Sequence, residues 1–455
     1  MRANYALTAL ALTLLTTAQV GCRQKSEASS GVWSKPVEIA KSSDSLSTSF
    51  SLYRWNGTLL TLGGDSGTFA ARVLEDNGQD WRTVSSADPG WIPLDADAKE
   101  SRFVIARDTI WRDKLEATFS VVSLSADGRF TKGNTASLHF QKDALFPGAP
   151  SNLELHPWDG QGHGAFWGGT LNGEEIRLPF CIEGTPIERT GHQVGVRADL
   201  ALSANGVFAS SDGGRTWRTE AISVREARAP VLCRTKGYYY YFAKSYYGSF
   251  YESWFSRRST EDGSWSHPET LNKSVAVKLS ENLHALGEGD TAHLCWLDSR
   301  HEKTRLSLNR PLAENYEVAY SRRKDSEASW SKDIILSKGL RWAYAPSMAA
   351  EGNNLVVAWA GARGLADRTE FGPSDIYYVT SDDSGKTWTK PTQVTDGFKS
   401  EITAGRPQVA LHKGVIHLLY VQGKLNFKKS GGLVKLNQPP WPILYQQRPF
   451  PSANP

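Results

Sequence analysis

The sequence predicts an all-β fold, a β-propeller built from four-stranded antiparallel blades, on the basis of two repeated patterns. First, a turn motif recurs: residues 210–217 and 381–388 share the pattern Ser-x-Asp-x-Gly-x-Thr-Trp. Second, alternating apolar segments recur in pairs around a glycine step, which is typical of β-hairpins. The 455 residues include 40 Gly and 16 Trp but only 2 Met, a composition that suits short strands and tight turns better than helices.

The turn motif has a physical role in each of its parts. The Asp carboxylate can accept backbone N–H bonds and the Gly can adopt a positive φ, so the motif favours a tight turn. The Trp that follows begins a strand, and its ring is large enough to fill the gap between two neighbouring sheets. We therefore interpret Asp212 and Asp383 as structural residues.

Weaker copies of the motif give the blade count. They lie at residues 76–81, 127–130, 261–265 and 321–330. The aromatic residues that close the units number seven, which predicts seven blades, with six as the alternative. These residues are Trp33, Trp81, Phe130, Trp217, Trp265, Trp330 and Trp388. The interval from Phe130 to Trp217 is long, which predicts an inserted loop near residues 185–200.

The N-terminal part of the mature chain is expected to close the ring. Trp33-Ser34-Lys35-Pro36 resembles the segments at 265–268 and 388–391, which begin outer strands. The N-terminal strand would then complete the sheet begun by residues 405–436, and closure removes an exposed sheet edge. We assign residues 32–436 to a single propeller domain and residues 437–455 to a Pro-rich tail on the surface.

The first 31 residues indicate export. Residues 1–21 have a charged start, an apolar stretch and a small-residue end, which is typical of a signal peptide. Gly21-Cys22 resembles a bacterial lipoprotein processing site, so Cys22 is predicted to carry lipid and residues 22–31 to form a flexible tether. Ordinary secretion and a retained membrane anchor are the alternatives.

Composition excludes several classes of protein. The formal net charge is +4 and no long Lys/Arg run occurs, so we expect no nucleic-acid partner. Cys181, Cys233 and Cys295 form no CxxC pair and are interpreted as buried free thiols, with one disulfide as the alternative. No phosphate-binding glycine loop or complete zinc ligand set is present, so we expect no metal ion and no cofactor, in a chain that is a monomer.

The turn motif, repeated over nearly the whole mature chain, resembles the Asp box of the sialidase superfamily. That resemblance implies a propeller, but Asp boxes occur on many enzymes and binding proteins, so it does not specify an activity. A sialidase needs three arginines, a nucleophilic tyrosine with a glutamate partner, and an acidic aspartate. The position of the first arginine falls near Ser47, that of the second falls on Lys244, and that of the tyrosine falls near Gly405. Since Lys does not replace Arg in bidentate carboxylate binding, ordinary sialidase activity is not expected.

A candidate site is predicted where the inner strands start, at the central mouth of the propeller. Glu226 and Asp298 are the candidate catalytic carboxylates, because glycosidic cleavage uses paired carboxylates. The candidate substrate-binding residues are cationic or aromatic, and they are Arg228, Lys244, Arg300, Trp342, Tyr344, Arg363 and Arg406. For several of these a structural role is the alternative: an Asp298–Arg300 pair, an ion-paired joint at Glu226, or packing between blades by Trp342 and Tyr344.

The sequence leaves three functions open. The first is a lipid-anchored, exported enzyme that acts on an envelope or extracellular glycan, as a glycoside hydrolase for an acidic sugar. The second is a non-catalytic glycan- or protein-binding propeller of the cell envelope, since the sialidase residues are missing. The third is a polysaccharide lyase that uses His156, His163 or His192 with a tyrosine from residues 238–241.

Overall fold

A computed structural model defines the fold for most of the chain. It describes residues 32–42, 50–55, 57–65, 68–75, 77–78, 80–87, 92–97, 102–111, 114–125, 130–146, 151–157, 169–190, 193–196, 202–222, 227–247, 250–261, 263–271, 283–298, 316–340, 342–362, 374–396, 402–426, 435–436 and 441–451. Nearly all of these residues lie in or beside β-strands, as the all-β prediction requires. Among these described residues the only helix, α1, is a single turn at Lys142–Leu145.

The strands of the first half of the chain form three antiparallel sheets, apart from one strand that joins the last sheet of the chain. The first strand, β1 (Val37–Ser42), belongs to the last sheet of the chain. Sheet one contains β2 (Phe50–Trp55), β3 (Thr58–Asp65), β4 (Thr68–Leu74) and β5 (Trp81–Ala87); sheet two contains β6 (Ile92–Asp97), β7 (Arg102–Trp111), β8 (Lys114–Leu124) and β9 (Phe130–Gln141); sheet three contains β10 (Leu153–Pro157), β11 (Thr170–Asn172), β12 (Glu175–Thr190), β13 (Gln193–Val196), β14 (Leu202–Ser210) and β15 (Arg218–Ala221).

The second half forms four more sheets in the same order of strands. Sheet four contains β16 (Ala227–Arg234), β17 (Tyr238–Tyr247), β18 (Phe250–Ser259) and β19 (Glu269–Thr270); sheet five contains β20 (His284–Glu288), β21 (Thr291–Asp298), β22 (Glu317–Lys324) and β23 (Ile334–Ile335); sheet six contains β24 (Trp342–Glu351), β25 (Asn354–Ala362), β26 (Asp375–Ser381) and β27 (Thr392–Gln393); sheet seven contains β28 (Ile402–His412), β29 (Val415–Asn426), β30 (Lys435–Leu436), β31 (Trp441–Pro449) and β1.

The inner strands of successive sheets contact one another, with β11 in that position in sheet three. Within the described part of the chain, β2 contacts β6, β6 contacts β11, and the contacts continue through β16, β20 and β24 to β28. Strand β28 in turn contacts β2 of sheet one. Each of six apolar clusters is shared by two successive sheets, so the core lies between the sheets rather than within any one of them.

In sheets one, three, five, six and seven, a tryptophan beside the outer strand makes a recurring contact with the preceding sheet. Its ring packs against an aromatic residue on the third strand of the preceding sheet, mostly edge to face, a favoured geometry for aromatic pairs. The ring-centroid distances are 5.2 Å for Trp81–Tyr445, 4.7 Å for Trp217–Phe119, 5.7 Å for Trp330–Phe255, 4.8 Å for Trp388–Tyr320 and 5.3 Å for Trp33–Tyr378.

The hydroxyl residue after the tryptophan fixes the outer strand to the third strand by two hydrogen bonds. Ser331 donates its N–H to Arg322 O at 2.8 Å, and its Oγ accepts the Arg322 N–H at 3.1 Å. Ser34 makes the same pair of bonds with Gln447, at 2.8 and 3.0 Å. Trp33-Ser34 therefore occupies in sheet seven the place that Trp330-Ser331 occupies in sheet five.

The Ser-x-Asp turns bind their own backbone. The Asp212 carboxylate accepts the N–H groups of Arg215 and Thr216 at 3.0 and 2.9 Å and the Thr216 hydroxyl at 2.6 Å. The bond from that hydroxyl, with the backbone bonds, lowers the pKa of Asp212 well below its usual value. Asp383 accepts the equivalent bonds from Lys386 and Thr387. Both carboxylates are thus occupied by the turns that they stabilise.

Two expectations differ from the structure. Residues 437–455 were predicted as a surface tail, but Trp441–Pro449 is a largely buried strand between β29 and β1. Its side chains Trp441, Ile443 and Tyr445 complete an apolar cluster with sheet one, which offsets the cost of its two prolines. Near residues 185–200, β12 continues past the sheet and pairs with β13 as a hairpin rather than forming an irregular loop.

Cys181, Cys233 and Cys295 are buried free thiols in the structure. Among the described residues no helix has the length and apolar character that crossing a bilayer would need. Residues 1–31, which carry the predicted signal peptide, Cys22 and tether, lie outside the described residues.

We expect Trp33→Ala to destabilise the protein about as much as Trp388→Ala. Both rings fill the same position between sheets, and truncating a largely buried Trp costs about 2–4 kcal/mol. The free energy of unfolding from urea denaturation measures both, with Val32→Ala, at an exposed neighbouring position, as the control. A Trp33→Ala protein as stable as the control would contradict the placement of the N-terminal strand.

We expect stability to fall as the pH is lowered from 6.5 towards 3. Burial lowers the pKa of His293 and of His417 to about 3, and each Nδ1 lies 2.7 Å from a tyrosine hydroxyl. The unfolded chain binds protons near pH 6.5, so each histidine should cost about 2 kcal/mol of stability at pH 5 relative to pH 8. Urea unfolding at both pH values tests this; His417→Gln should flatten the slope, whereas a change at the exposed His139 should not.

Candidate functional site

Those predicted site residues whose strands are described lie at one end of sheets four to seven. In each of these sheets the first strand starts and the second strand ends at the same end of the sheet, which we call the strand-start end. The hairpin turn between these two strands lies at the opposite end, which we call the turn end. Arg228 is paired with Lys244 across β16 and β17, and Trp342 with Ala362 across β24 and β25. Asp298 is the last residue of β21, and Arg406 lies near the start of β28.

The inner strands of three sheets carry a bulge just before a proline at this end. The strand register shifts between Arg228 and Val231, between Tyr344 and Ser347, and between Gly405 and Gln408. The corresponding sequences are Arg228-Ala229-Pro230, Tyr344-Ala345-Pro346 and Gly405-Arg406-Pro407. Proline cannot donate a ladder hydrogen bond, so it is tolerated in an inner strand at such a bulge.

Two residues at these bulges have a strained backbone. Ala345 and Arg406 both have φ of 50°, in the left-handed region that side chains other than Gly rarely adopt. A residue before proline ordinarily prefers extended backbone, so the conformation is unfavourable for two reasons. Strain of this kind persists only where surrounding contacts enforce it, and it concentrates at functional sites.

Arg406 is the candidate residue whose position is best defined. It is half-buried, and its charge acts on the phenol of Tyr344 in the neighbouring sheet. The equivalent position holds Ala229 in sheet four and Ala345 in sheet six. Because alanine suffices for the bulge in those sheets, the bulge itself does not require the guanidinium of Arg406.

Tyr344 is placed in a joint between sheets rather than as an open stacking platform. Its ring packs against the apolar clusters on both sides of sheet six, and its hydroxyl lies 3.2 Å from Ser374 Oγ. Burial raises the pKa of Tyr344, while the charge of Arg406 acts in the opposite direction. Packing between sheets was the alternative interpretation of this residue, and the contacts favour it.

Asp298 has an environment different from that of a solvent-facing catalytic carboxylate. Its side chain is fully buried, and its Oδ2 accepts the indole N–H of Trp296 at 3.1 Å. Glu317 lies opposite it on β22. This arrangement is that of a carboxylate fixed at a strand end, which sequence spacing could not distinguish from an open one.

The remaining candidates are placed only in part. Arg228, Lys244 and Trp342 lie in strands, but their side chains are outside the described residues, as are Glu226, Arg300 and Arg363 altogether. Of the histidines proposed for elimination chemistry, His156 lies in β10, and His163 and His192 are outside the described residues. In the described part of the chain no group of three or more His, Cys, Asp or Glu side chains could hold a metal ion.

The structure adds Ser374 and the proline bulges, which sequence reasoning missed. The x-Ala/Arg-Pro pattern at 228–230, 344–346 and 405–407 was visible in the sequence and marks equivalent inner-strand positions. Ser374 precedes a third strand and has no local signal, since its partners Tyr344 and Ala404 are both 30 residues away along the chain.

Comparisons with known proteins give similarity of structure only. The sequence matches no family model and no curated protein. Solved structures that resemble the chain include a phage phi92 endosialidase, with 9% identity, a TM-score of 0.43, and coverage of 92% of this chain and 70% of that one. Another is a Trypanosoma rangeli sialidase in complex with sialic acid, with 11% identity, a TM-score of 0.39, and coverage of 92% of this chain and 58% of that one. A third is a Coprinopsis cinerea GH62 α-L-arabinofuranosidase catalytic domain, with 10% identity, a TM-score of 0.31, and coverage of 62% of this chain and 90% of that one.

These structural neighbours are sialidases and other glycoside hydrolases, at low sequence identity. The chain spans less than two thirds of the length of the Trypanosoma rangeli sialidase. At this level of similarity the activity of this chain has to be argued from its own residues.

Proposed function

We propose that the seven sheets are seven blades of one closed propeller of the sialidase-like kind, with β1 as the outer strand of the seventh blade. The contact of β28 with β2 supports closure, as does the packing of Trp33 on Tyr378. The turns at 210–217 and 381–388 then correspond to Asp boxes, whose carboxylates stabilise the turns and take no part in chemistry.

The strand-start end of this propeller binds an acidic saccharide of the envelope or extracellular space. The observation that carries this proposal is Arg406, a half-buried cation held at φ 50° where two other blades have alanine. A guanidinium with a fixed position suits a carboxylate, because it donates two parallel hydrogen bonds. An uncharged sugar would not need this group.

Other residues of the same end complete the proposed site. Arg228 and Lys244 are cross-strand partners there, and Arg300 and Arg363 follow strands that end there. Glu226, just before β16, is the carboxylate that we assign to acid/base or nucleophilic chemistry at the glycosidic bond. Trp342 is the residue that we assign to stacking on a sugar ring.

A non-catalytic glycan- or protein-binding propeller is the second candidate function. The burial of Asp298 favours it, since one of the two predicted carboxylates is engaged with Trp296 rather than open to a ligand. The placement of Tyr344 in a joint points the same way, because it leaves fewer groups for chemistry than for binding.

Binding and turnover of glycans by the full chain, in mild detergent, test both candidates. With glycans ending in sialic or uronic acid, we expect Arg406→Ala to weaken binding about tenfold or more. Glu226→Gln should bind but release no product, and Asp298→Asn, which keeps an acceptor for Trp296, should behave as the parent. Arg54→Ala, at the turn end, is the control.

Three results of this experiment would decide between the functions. Equal binding by the parent and Arg406→Ala would refute the acidic-sugar site. Binding without product by the parent would leave the non-catalytic propeller as the function. A preference for neutral glycans would contradict the assignment of substrate class.

The proposed site lies on an exported protein anchored to the cell envelope through lipid on Cys22. The signal-like residues 1–21 and the small, polar residues 22–31 support this. We expect fatty-acid labelling of the protein in cells and its recovery with membranes, both lost on Cys22→Ser. Unchanged labelling in Cys22→Ser would exclude this cysteine as the lipid attachment site.

A further inference from the structure

The joint between sheets six and seven is tied by Ser374. This residue, just before β26, is 1% exposed. Its carbonyl accepts the N–H of Ala404 at 2.8 Å, and its Oγ donates to the carbonyl of the same Ala404 at 2.7 Å. The start of β28 is therefore held on both of its backbone groups, two residues before Arg406.

The protons in this joint have a defined direction. The carbonyl of Ala404 can only accept, so the single hydroxyl proton of Ser374 is committed to it. Tyr344 must then donate its phenol proton to Ser374 Oγ across their 3.2 Å contact. The result is a chain of two hydrogen bonds from Tyr344 through Ser374 to the backbone of β28, and it leaves Tyr344 as a protonated donor rather than a nucleophile.

A second serine of sheet six ties β28 on the other side of Arg406. Ser347 is buried, and its Oγ accepts the N–H of Val409 at 3.2 Å. Ala404 and Val409 thus bracket the bulge at Arg406 and Pro407. Between two such ties the chain has little freedom to relax an unfavourable φ.

The equivalent joint between sheets five and six has the same backbone bond but a different side chain at the position of Ser374. There Ala343 donates its N–H to the carbonyl of Tyr316 at 3.0 Å, so the backbone bond is repeated. The residue at the position of Ser374 is a tyrosine, and the bulge residue that follows is Ala345. The small hydroxyl side chain therefore stands at the joint that precedes the arginine.

We infer that Ser374 is a positioning residue, which holds the start of β28 so that Arg406 presents its guanidinium to the ligand. The identity of the ligand bound by Arg406 rests on the proposed function. The structural claim, that Ser374 sets the position of Arg406, does not depend on that function. Ser374 does not contact the ligand; it acts through the conformation of Arg406.

The structural part is tested without a ligand by crystal structures of the full chain and its variants. In Ser374→Ala we expect the start of β28 to shift and the guanidinium of Arg406 to move, while φ of Arg406 stays positive, as it is at Ala345 beside a joint without a serine. Ser374→Thr, which restores the hydroxyl, should restore the parent conformation. Ser337→Ala removes a buried serine within sheet five, where it accepts the Val318 N–H, and should leave Arg406 unchanged.

Tyr344→Phe provides a second variant in case Ser374→Ala does not fold. It keeps the ring and removes only the bond that Tyr344 donates to Ser374, so a smaller movement of Arg406 is expected. A guanidinium of Arg406 that stays in the parent position in Ser374→Ala, or in Tyr344→Phe where only that variant folds, would overturn the inference.

Binding of sialic acid and glucuronic acid measures the functional consequence. We expect Ser374→Ala to weaken binding about five- to tenfold, Ser374→Thr to recover it, and Ser337→Ala to bind as the parent. In an Arg406→Ala background, Ser374→Ala should have no further effect, because residues acting through one group are not additive.

The two proposals fail in different ways. If the parent binds neither acid, the proposed function fails, and the position of Arg406 in the variant crystals still decides the role of Ser374. If the parent binds and Ser374→Ala binds equally well, the role of Ser374 fails while the acidic-sugar site stands.

Discussion

The apolar core of the described residues lies between the sheets, and the rest of the structure depends on that constraint. A four-stranded sheet exposes two faces, and in sheet six both are covered by the preceding and the following sheet. The contact of a Trp with the third strand of the preceding sheet is the repeated form of this cover. Removing one contact therefore weakens two sheets, and a chain end that supplied no Trp would leave one face uncovered.

The two ends of the sheets are held together in different ways. At the turn end, carboxylates of one sheet accept N–H groups from the turn of the next: Glu288 accepts from Gly352, and Glu351 accepts from Lys413 and Gly414. These turns have little freedom to change. At the strand-start end the described joints combine backbone bonds, such as Ala343 to Tyr316, with the bonds of Ser374 and Ser347 to β28.

The sequence predicts this fold well where the determinants are local. The turn motif, the hairpin glycines and the Trp-Ser segment at Trp33 each carry their signal within a few residues, and Ser34 makes the bonds of its later counterparts. Trp441–Pro449 was missed, because two prolines within nine residues favour a tail, and only packing against sheet one makes it a buried strand. The candidate site stays a prediction; Tyr344 packs against apolar clusters shared with sheets five and seven, and its own sequence neighbours do not signal that burial.

The position of Arg406 separates what the fold needs from what a ligand would need. The bulge before proline recurs with alanine in two other sheets, and in sheet six the alanine has the same strained backbone as Arg406, so that strain belongs to the fold and not to the guanidinium. The side chain becomes free to vary between related chains, while the serine ties and the proline around it are constrained by the joint. Specificity in this architecture can then change by single substitutions at the bulges, without alteration of the contacts that hold the sheets together.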